Sequence, residues 1–367
     1  MTEKAQDVAK REIRILDCLR SSRRGLLVQL AGLGDLIMAL PAIESLRAHL
    51  PHVRWTLVTR PENSGLLHGR VEEIRAMPWP PTVQNAGLIV KQVLWLRRER
   101  YDVAVHLYAI GSVRGALGIK ALFLGMRPAL SIGRRGPDGP RLFDINWDER
   151  QATSRHEVDL NLGLAASLGA PCATRAPSLA PSGEAVRHVT TMVQQRFVDA
   201  KRFVALFPGG TLPEKHWPVA RYSELAGRLS RQGFGVCVIG GKAEVEDAQQ
   251  IAEAAGTNGS NLAGSLSLPD LVALLSMASA YVGNDSGPTH VAAAVGIPCV
   301  ALFGPVDVER FRPRGSGPIR VLRSEAECVP CRLAIVGHHT CMGALSLEAV
   351  WEAVLEIIMR APAASRI

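Results

Sequence analysis

Apolar residues fall along this chain in short runs that alternate with longer stretches of helical spacing. GLLVQL (25–30) is closed by AGLGD, and LIMALPAIESLRAHL then places its apolar positions three and four apart. RWTLVT (54–59) and YDVAVHL (101–107) have the same strand character, with the helical pattern of AGLIVKQVLWLRRER between them. A second set starts with strand RFVALF (202–207), helix ARYSELAGRLSRQG and strand GVCVIGG (235–241). It continues through helices EDAQQIAEAAG and LPDLVALLSMA, strand AYVG (280–283), helix THVAAAVG and strand PCVALFG. SLEAVWEAVLEIIMRA is an amphipathic helix with Ser346 as its N-cap. Strands alternating with helices are the grammar of βαβ units and a parallel sheet. APCATRAPSLAPSGEA (170–185) loses all periodicity and reads as a linker. The pattern therefore predicts two Rossmann-like, doubly wound α/β domains facing across a cleft. They cover residues 25–180 and 181–345, after a basic leader at 1–24.

A length of 367 residues agrees with two cores rather than one. The formal charge of +8 favours an anionic partner, whether nucleic acid, a phosphorylated lipid or a bilayer surface. Aromatic residues make up only 5% of the chain and no Lys/Arg run forms a tail, which argues against nucleic acid. The N-terminus lacks the apolar centre of a signal peptide, and the longest apolar runs, around 271–283 and 291–304, fall short of the ~18–20 residues that span a bilayer. These features predict a cytoplasmic protein, its basic N-terminal segment either a solvated helix or a contact with an anionic membrane surface. Of seven cysteines, Cys237 and Cys299 sit in apolar runs, as small core residues of a reducing compartment do.

Chemistry-bearing residues collect where strands hand over to helices. VGNDSGPTH (282–290) puts Asp285, Ser286 and Gly287 after a strand and at the start of a helix, where free amides and the helix dipole favour phosphate. The same residues also serve simply as helix caps. ALFPGGTLPEKHWP (205–218) ends a strand in a Gly-rich turn and supplies Lys215, suited to a phosphate or to solvent. In QLAGLGDLIMALP, Gly32 and Gly34 imitate a dinucleotide fingerprint, but Ile37 stands where a small residue belongs. The next strand ends LVTRPEN, with no acid for a ribose, so an NAD site is not predicted, and no Walker A loop exists. Asp35 either projects a carboxylate as a base or caps its helix.

GLGDLIMALPAIESLR, FPGGTLPEKHWP, VGNDSGPTHVAAAVGIPCVALFGP and HEVDLNLGLAASLG resemble glycosyltransferase family nine, known for ADP-heptose:lipopolysaccharide heptosyltransferases. The resemblance runs from about residue 25 to the C-terminus, and the segment around Asp285 is its most specific motif. It implies a GT-B architecture, with the acceptor held by the N-terminal half and the nucleotide-sugar by the C-terminal half. The final helix, 346–360, would pack back on the first domain. Asp35 would be the general base of an inverting transfer, beside Gly34 on the acceptor side, and Lys215 would stabilise the departing diphosphate. Thr211, Ser286 and Gly287 would hydrogen-bond the diphosphate, Asp285 and His290 would line the donor site, and Glu244 (or Glu246) would take the ribose. The resemblance implies no cofactor and no catalytic divalent metal.

Two departures stand out. Relatives carry an Asp and a Gln-Gly pair where this chain reads HLYAIGSVRGAL, so the acceptor side differs, with Arg114 still placed to meet an acceptor phosphate. Arg60, Lys120, Arg134 and Arg135 either join it or are solvated surface charge. Cys328, Cys331 and Cys341, with His338 or His339, resemble a cluster of the second-heptose branch, either a structural metal site or a loop of reduced thiols. The expected activity is inverting transfer from ADP-L-glycero-D-manno-heptose to an anionic lipopolysaccharide inner-core acceptor at the cytoplasmic face of the inner membrane. The alternatives are another nucleotide-sugar, another glycan, glycolipid or protein acceptor, a nucleotide-sugar epimerase, or a catalytically silent nucleotide-binding relative. The presence of both Asp35 and Lys215 argues against the last.

Overall fold

The computed structural model describes residues 17–67, 69–108, 110, 112–170, 174–196, 202–324 and 341–360. The chain divides into two compact units, the first ending at Arg175 and the second beginning at Ala176. The division falls inside the Pro/Ala/Ser-rich stretch, five residues before the expected boundary. Most of the leader lies outside the described residues, and its last residue, Arg24, already belongs to a strand.

The first unit is built on a six-stranded sheet of order β3-β2-β1-β4-β5-β6, every pair parallel. Its strands are β1 (Arg24–Gln29), β2 (Arg54–Thr59), β3 (Glu73–Ala76), β4 (Val103–His106), β5 (Leu130–Arg135) and β6 (Ile145–Asp148). The helices are α1 (Leu33–His49), α2 (Ala86–Arg98), α3 (Val113–Met126) and α4 (Glu157–Ser167). β4 is buried along its whole length and β1 everywhere but its first residue, which is why they read as continuous apolar runs. Leu26, Val28, Ala104, Ile119, Leu122 and Phe123 form a core between this sheet and α3.

The second unit repeats the plan with order β12-β11-β10-β7-β8-β9, again all parallel. It comprises α5 (Gly183–Arg196), β7 (Phe203–Phe207), α6 (Val219–Arg231), β8 (Gly235–Val238), α7 (Val245–Ala254), β9 (Gly259–Asn261) and α8 (Leu268–Met277). β10 (Ala280–Asn284), α9 (Gly287–Val295), β11 (Cys299–Phe303), β12 (Ile319–Arg323) and α10 (Leu347–Arg360) follow, with single helical turns at Val308–Phe311 and Cys341–Ala344. Cys237 and Cys299 are buried in the sheet as expected, and burial pushes the Cys237 thiol up to about 12.

The last helix packs within the second unit. Val350, Ala353, Val354 and Ile357 of α10 join the core of the second unit with Val282, Val300 and Leu302, so its apolar face is spent on its own sheet. Ser346 caps it as read from the sequence, its Oγ accepting from the Ala349 amide at 3.2 Å.

Each sheet reverses its strand order once, between β1 and β4 in the first unit and between β7 and β10 in the second. Loops leaving neighbouring strands there diverge to opposite faces and open a crevice beyond the carboxyl ends, where α/β sheets bind ligands.

Candidate functional sites

In the first unit the crevice is a cavity of about 880 Å³, walled by Gly32 and Asp35 after β1, Arg60 after β2, His106 at the end of β4, and Ser112 and Arg114 at the start of α3. Asp35 is the third residue of α1. Its Oδ2 accepts from the Gly32 amide at 3.1 Å, so it closes a capping turn while standing on the cavity wall. Asp35 therefore takes part in the cap of its helix and also faces the cavity. The wall is formed by Gly32, not by the expected Gly34, which lies one position inside the helix.

Arg60 donates through Nε to the Leu30 carbonyl at 2.9 Å, which fixes its guanidinium beside the cavity. Arg114 follows Ser112, whose Oγ caps α3 by accepting from the Gly115 amide at 3.1 Å. Two guanidinium groups and a helix N-terminus on one wall suit an anion. The other basic residues do different work. Lys120 is exposed outside the cavity and Arg135 pairs with Asp148 at 2.9 Å. Arg134 overturns the surface reading: it is buried between Glu149, Glu157 and Asn161, joining β5 to α4. Burial opposes its charge, and the two carboxylates more than offset that, holding its pKa above the ordinary arginine value.

His106 carries no role in the sequence reading, where its segment registers as the end of a strand and as a departure from the family pattern. It is buried, its ring stacked on Phe143 at 5.5 Å between centroids. Burial pushes its pKa down to about 4, against the pull of a hydrogen bond to the Tyr108 backbone. A neutral imidazole thus lines the cavity near neutral pH. Its position at the end of the strand beside β1 is the signal that could have found it.

In the second unit the crevice joins the two motifs picked out in the sequence. Lys215 Nζ, in the turn Pro213–Lys215 after β7, lies 2.7 Å from Asp285 Oδ2, after β10. Residues 70 apart in the chain become an ion pair, Asp285 nearly buried and Lys215 more open. Asp285 is therefore not a helix cap. Ser286 occupies the N-cap position of α9 but its side chain makes no capping bond, so the capping reading fails for it too. In the first turn of α9 the Gly287 amide makes no bond within the helix, Pro288 at the second position has no amide N–H, and the Thr289 amide donates to the Ser286 carbonyl at 3.1 Å. His290 is buried behind the ion pair, and burial lowers its pKa, partly countered by Asp285.

Asn284 holds this arrangement together and was missed. Fully buried, it donates through Nδ2 to the carbonyls of Pro208 (2.6 Å) and Gly209 (3.0 Å). Its Oδ1 accepts from the Trp217 amide (3.1 Å) and the Tyr222 hydroxyl (3.0 Å). One side chain thereby ties β10 to both ends of the loop that carries Lys215. Thr211, on that loop, is exposed. Glu244 is partly committed already: its Oε2 accepts from the Gly241 amide at 2.7 Å. Its carboxyl also lies over Gly209, where a Cβ would come within 2.7 Å of Oε1, so the turn needs glycine there. Of the cysteine cluster, Cys328 and Cys331 lie outside the described residues, as do His338 and His339, and Cys341 is buried in the core. Among the described residues no three His, Cys, Asp or Glu side chains group as metal ligands.

Two six-stranded parallel sheets of Rossmann order, each flanked by helices, give the chain the architecture of the GT-B glycosyltransferases. The chain belongs to glycosyltransferase family 9 (heptosyltransferase), whose family profile matches residues 90–335. It is 25% identical to the lipopolysaccharide core heptosyltransferase OpsX of Haemophilus influenzae, over 76% of this chain and 78% of that protein. It is 38% identical to lipopolysaccharide heptosyltransferase 2 of Escherichia coli over a shorter stretch, 33% of this chain and 36% of that one. The solved structure of E. coli ADP-heptose LPS heptosyltransferase II superposes with a TM-score of 0.73 at 25% identity, covering 92% of this chain and 99% of the other.

Proposed function

We propose that this protein transfers heptose, with inversion, from ADP-L-glycero-D-manno-heptose to an anionic sugar of a lipopolysaccharide inner core. An acceptor hydroxyl oxygen attacks the anomeric carbon, the bond from that carbon to the diphosphate oxygen breaks, and its electron pair leaves with ADP. Asp35 receives the hydroxyl proton. A carboxylate is a weak base for an alcohol, so the proton moves late and the leaving group must be well stabilised. Lys215 supplies the positive charge for the departing diphosphate, and the Gly287 amide with the Ser286 hydroxyl supplies hydrogen bonds. Asp285 positions Lys215 rather than touching the sugar. Arg60 and Arg114 take the acceptor's negative charge.

The observation that carries this reading is the Lys215–Asp285 pair beside the uncapped start of α9. The choice of sugar and acceptor is supported by the relatives named for ADP-heptose and lipopolysaccharide. The test is ADP release from ADP-heptose with a heptose-deficient core acceptor. Asp35→Asn keeps an acceptor for the Gly32 amide and removes the base, so turnover should fall roughly 10²–10⁴-fold with ADP affinity unchanged. Lys215→Met should lower both turnover and ADP affinity. Undiminished transfer by Asp35→Asn would remove Asp35 as the base. Turnover with only some other nucleotide-sugar would reject the heptosyl assignment.

A further inference from the structure

Ten large apolar side chains are markedly exposed among the described residues, and seven belong to one short region: Val83, Leu88, Val90, Leu94, Val113, Leu117 and Leu124. The region is α2, α3 and the loop before α2. Val113, Leu117 and Leu124 recur on one face of α3 together with the exposed Lys120, on consecutive turns where a soluble helix ordinarily puts polar residues. On α2 the exposed face mixes Leu88, Val90 and Leu94 with Lys91, Arg97 and Arg98. The two helices lie side by side, close enough that a Cβ on Gly125 of α3 would meet Val93 of α2 at 2.6 Å. Their outer faces therefore make one surface. Exposed Arg114 and Arg127 add to its charge, and neither helix contains an acidic residue.

We infer that this face docks on an anionic phospholipid bilayer, the aliphatic side chains entering the headgroup region and the basic ones meeting lipid phosphates. An exposed apolar patch marks a partner, and a predominantly cationic rim selects an anionic one. No helix among the described residues is long and apolar enough to cross a membrane, so attachment by this face is peripheral. The same segments reach the first unit's cavity: Trp79, Pro80 and Pro81 lead to Val83, and Arg114, Gly118 and Ile119 share α3 with Val113 and Leu117. A lipid-anchored acceptor held at this surface would thus present its sugar headgroup at the cavity mouth. That last step rests on the proposed function, whereas bilayer binding does not.

The test compares co-sedimentation of the full chain with phosphatidylcholine vesicles, with and without phosphatidylglycerol. Leu94→Ser/Leu117→Ser/Leu124→Ser should lose binding to both. Lys91→Gln/Arg97→Gln/Arg98→Gln should weaken the preference for anionic vesicles roughly a hundredfold in partitioning. Both variants should keep the wild-type melting temperature and turnover of a lipid-free core oligosaccharide, while losing turnover of vesicle-embedded acceptor. The inference is overturned if wild type ignores anionic vesicles, or if the apolar variant binds them as wild type does. It is equally overturned if wild type is a dimer that the apolar variant converts to monomer with vesicle binding unaffected, because the face then joins two copies. Vesicle binding that follows these expectations, without transfer to any heptose acceptor, would leave the docking face standing and refute the proposed function alone.

Discussion

Replacing Asn284 by Ala should unfold the second unit's crevice more severely than removing any residue that carries charge there. The substitution strands the Pro208 and Gly209 carbonyls and the Trp217 amide, while the Tyr222 hydroxyl keeps its bond to the Phe207 carbonyl at 2.9 Å. Each buried group left without a partner costs about 1–3 kcal/mol. Allowing for relaxation, the three together come to about 4 kcal/mol, much of a typical domain's stability of about 5–15 kcal/mol. For a unit of this size that shifts the melting point down by roughly 8–16 °C. Asn284→Asp has the same shape but puts oxygen against two carbonyl oxygens, so it should be no milder, and its penalty should grow with pH as the carboxyl ionises. Calorimetry of the full chain, following the transition that ADP raises, reads both variants. ADP affinity should fall with stability, because the loop carrying Lys215 loses its anchor. An Asn284→Ala protein melting within about 2 °C of wild type would refute the claim that this side chain organises the crevice.

Two further predictions concern buried ionisable groups in the first unit. The His106 pKa, near 4 when folded, lies below the ordinary 6.5, so the unfolded chain binds the extra proton first as pH falls. Stability from this group is therefore complete above pH 6.5 and declines toward pH 4 by up to about 3 kcal/mol. Urea midpoints across that window should fall less steeply for His106→Phe than for wild type, and equal slopes would show that His106 is not neutral and buried. Arg134→Met leaves Glu149 and Glu157 buried without their cation, at a cost of about 3–5 kcal/mol near pH 7. Adding Glu149→Gln and Glu157→Gln should recover most of it, and a single Arg134→Met variant as stable as wild type would contradict the buried triad.

The chain's own pattern determined the repeated strand-and-helix grammar, because strands buried on both faces, such as β1, β7 and β10, are apolar over most of their length. It also marked the turns that carry Asp35, Lys215 and Asp285, since small residues and breakers are needed where a strand hands over to a helix. The outer strands escaped that reading. β3 is Glu-Ile-Arg-Ala and β9 is Gly-Ser-Asn, short and polar, held as strands by neighbours rather than by their own composition. Helix α3 escaped it too, because apolar residues on both its faces blur the helical period, the outer ones forming the exposed patch. Only the tertiary structure decided partnership. Whether Asp285 capped a helix or held a lysine, whether Arg134 faced solvent or two carboxylates, and which sheet took α10 all depend on what long-range folding places opposite each side chain. Periodicity along a chain reports which face is buried. It carries no record of what lies across from it.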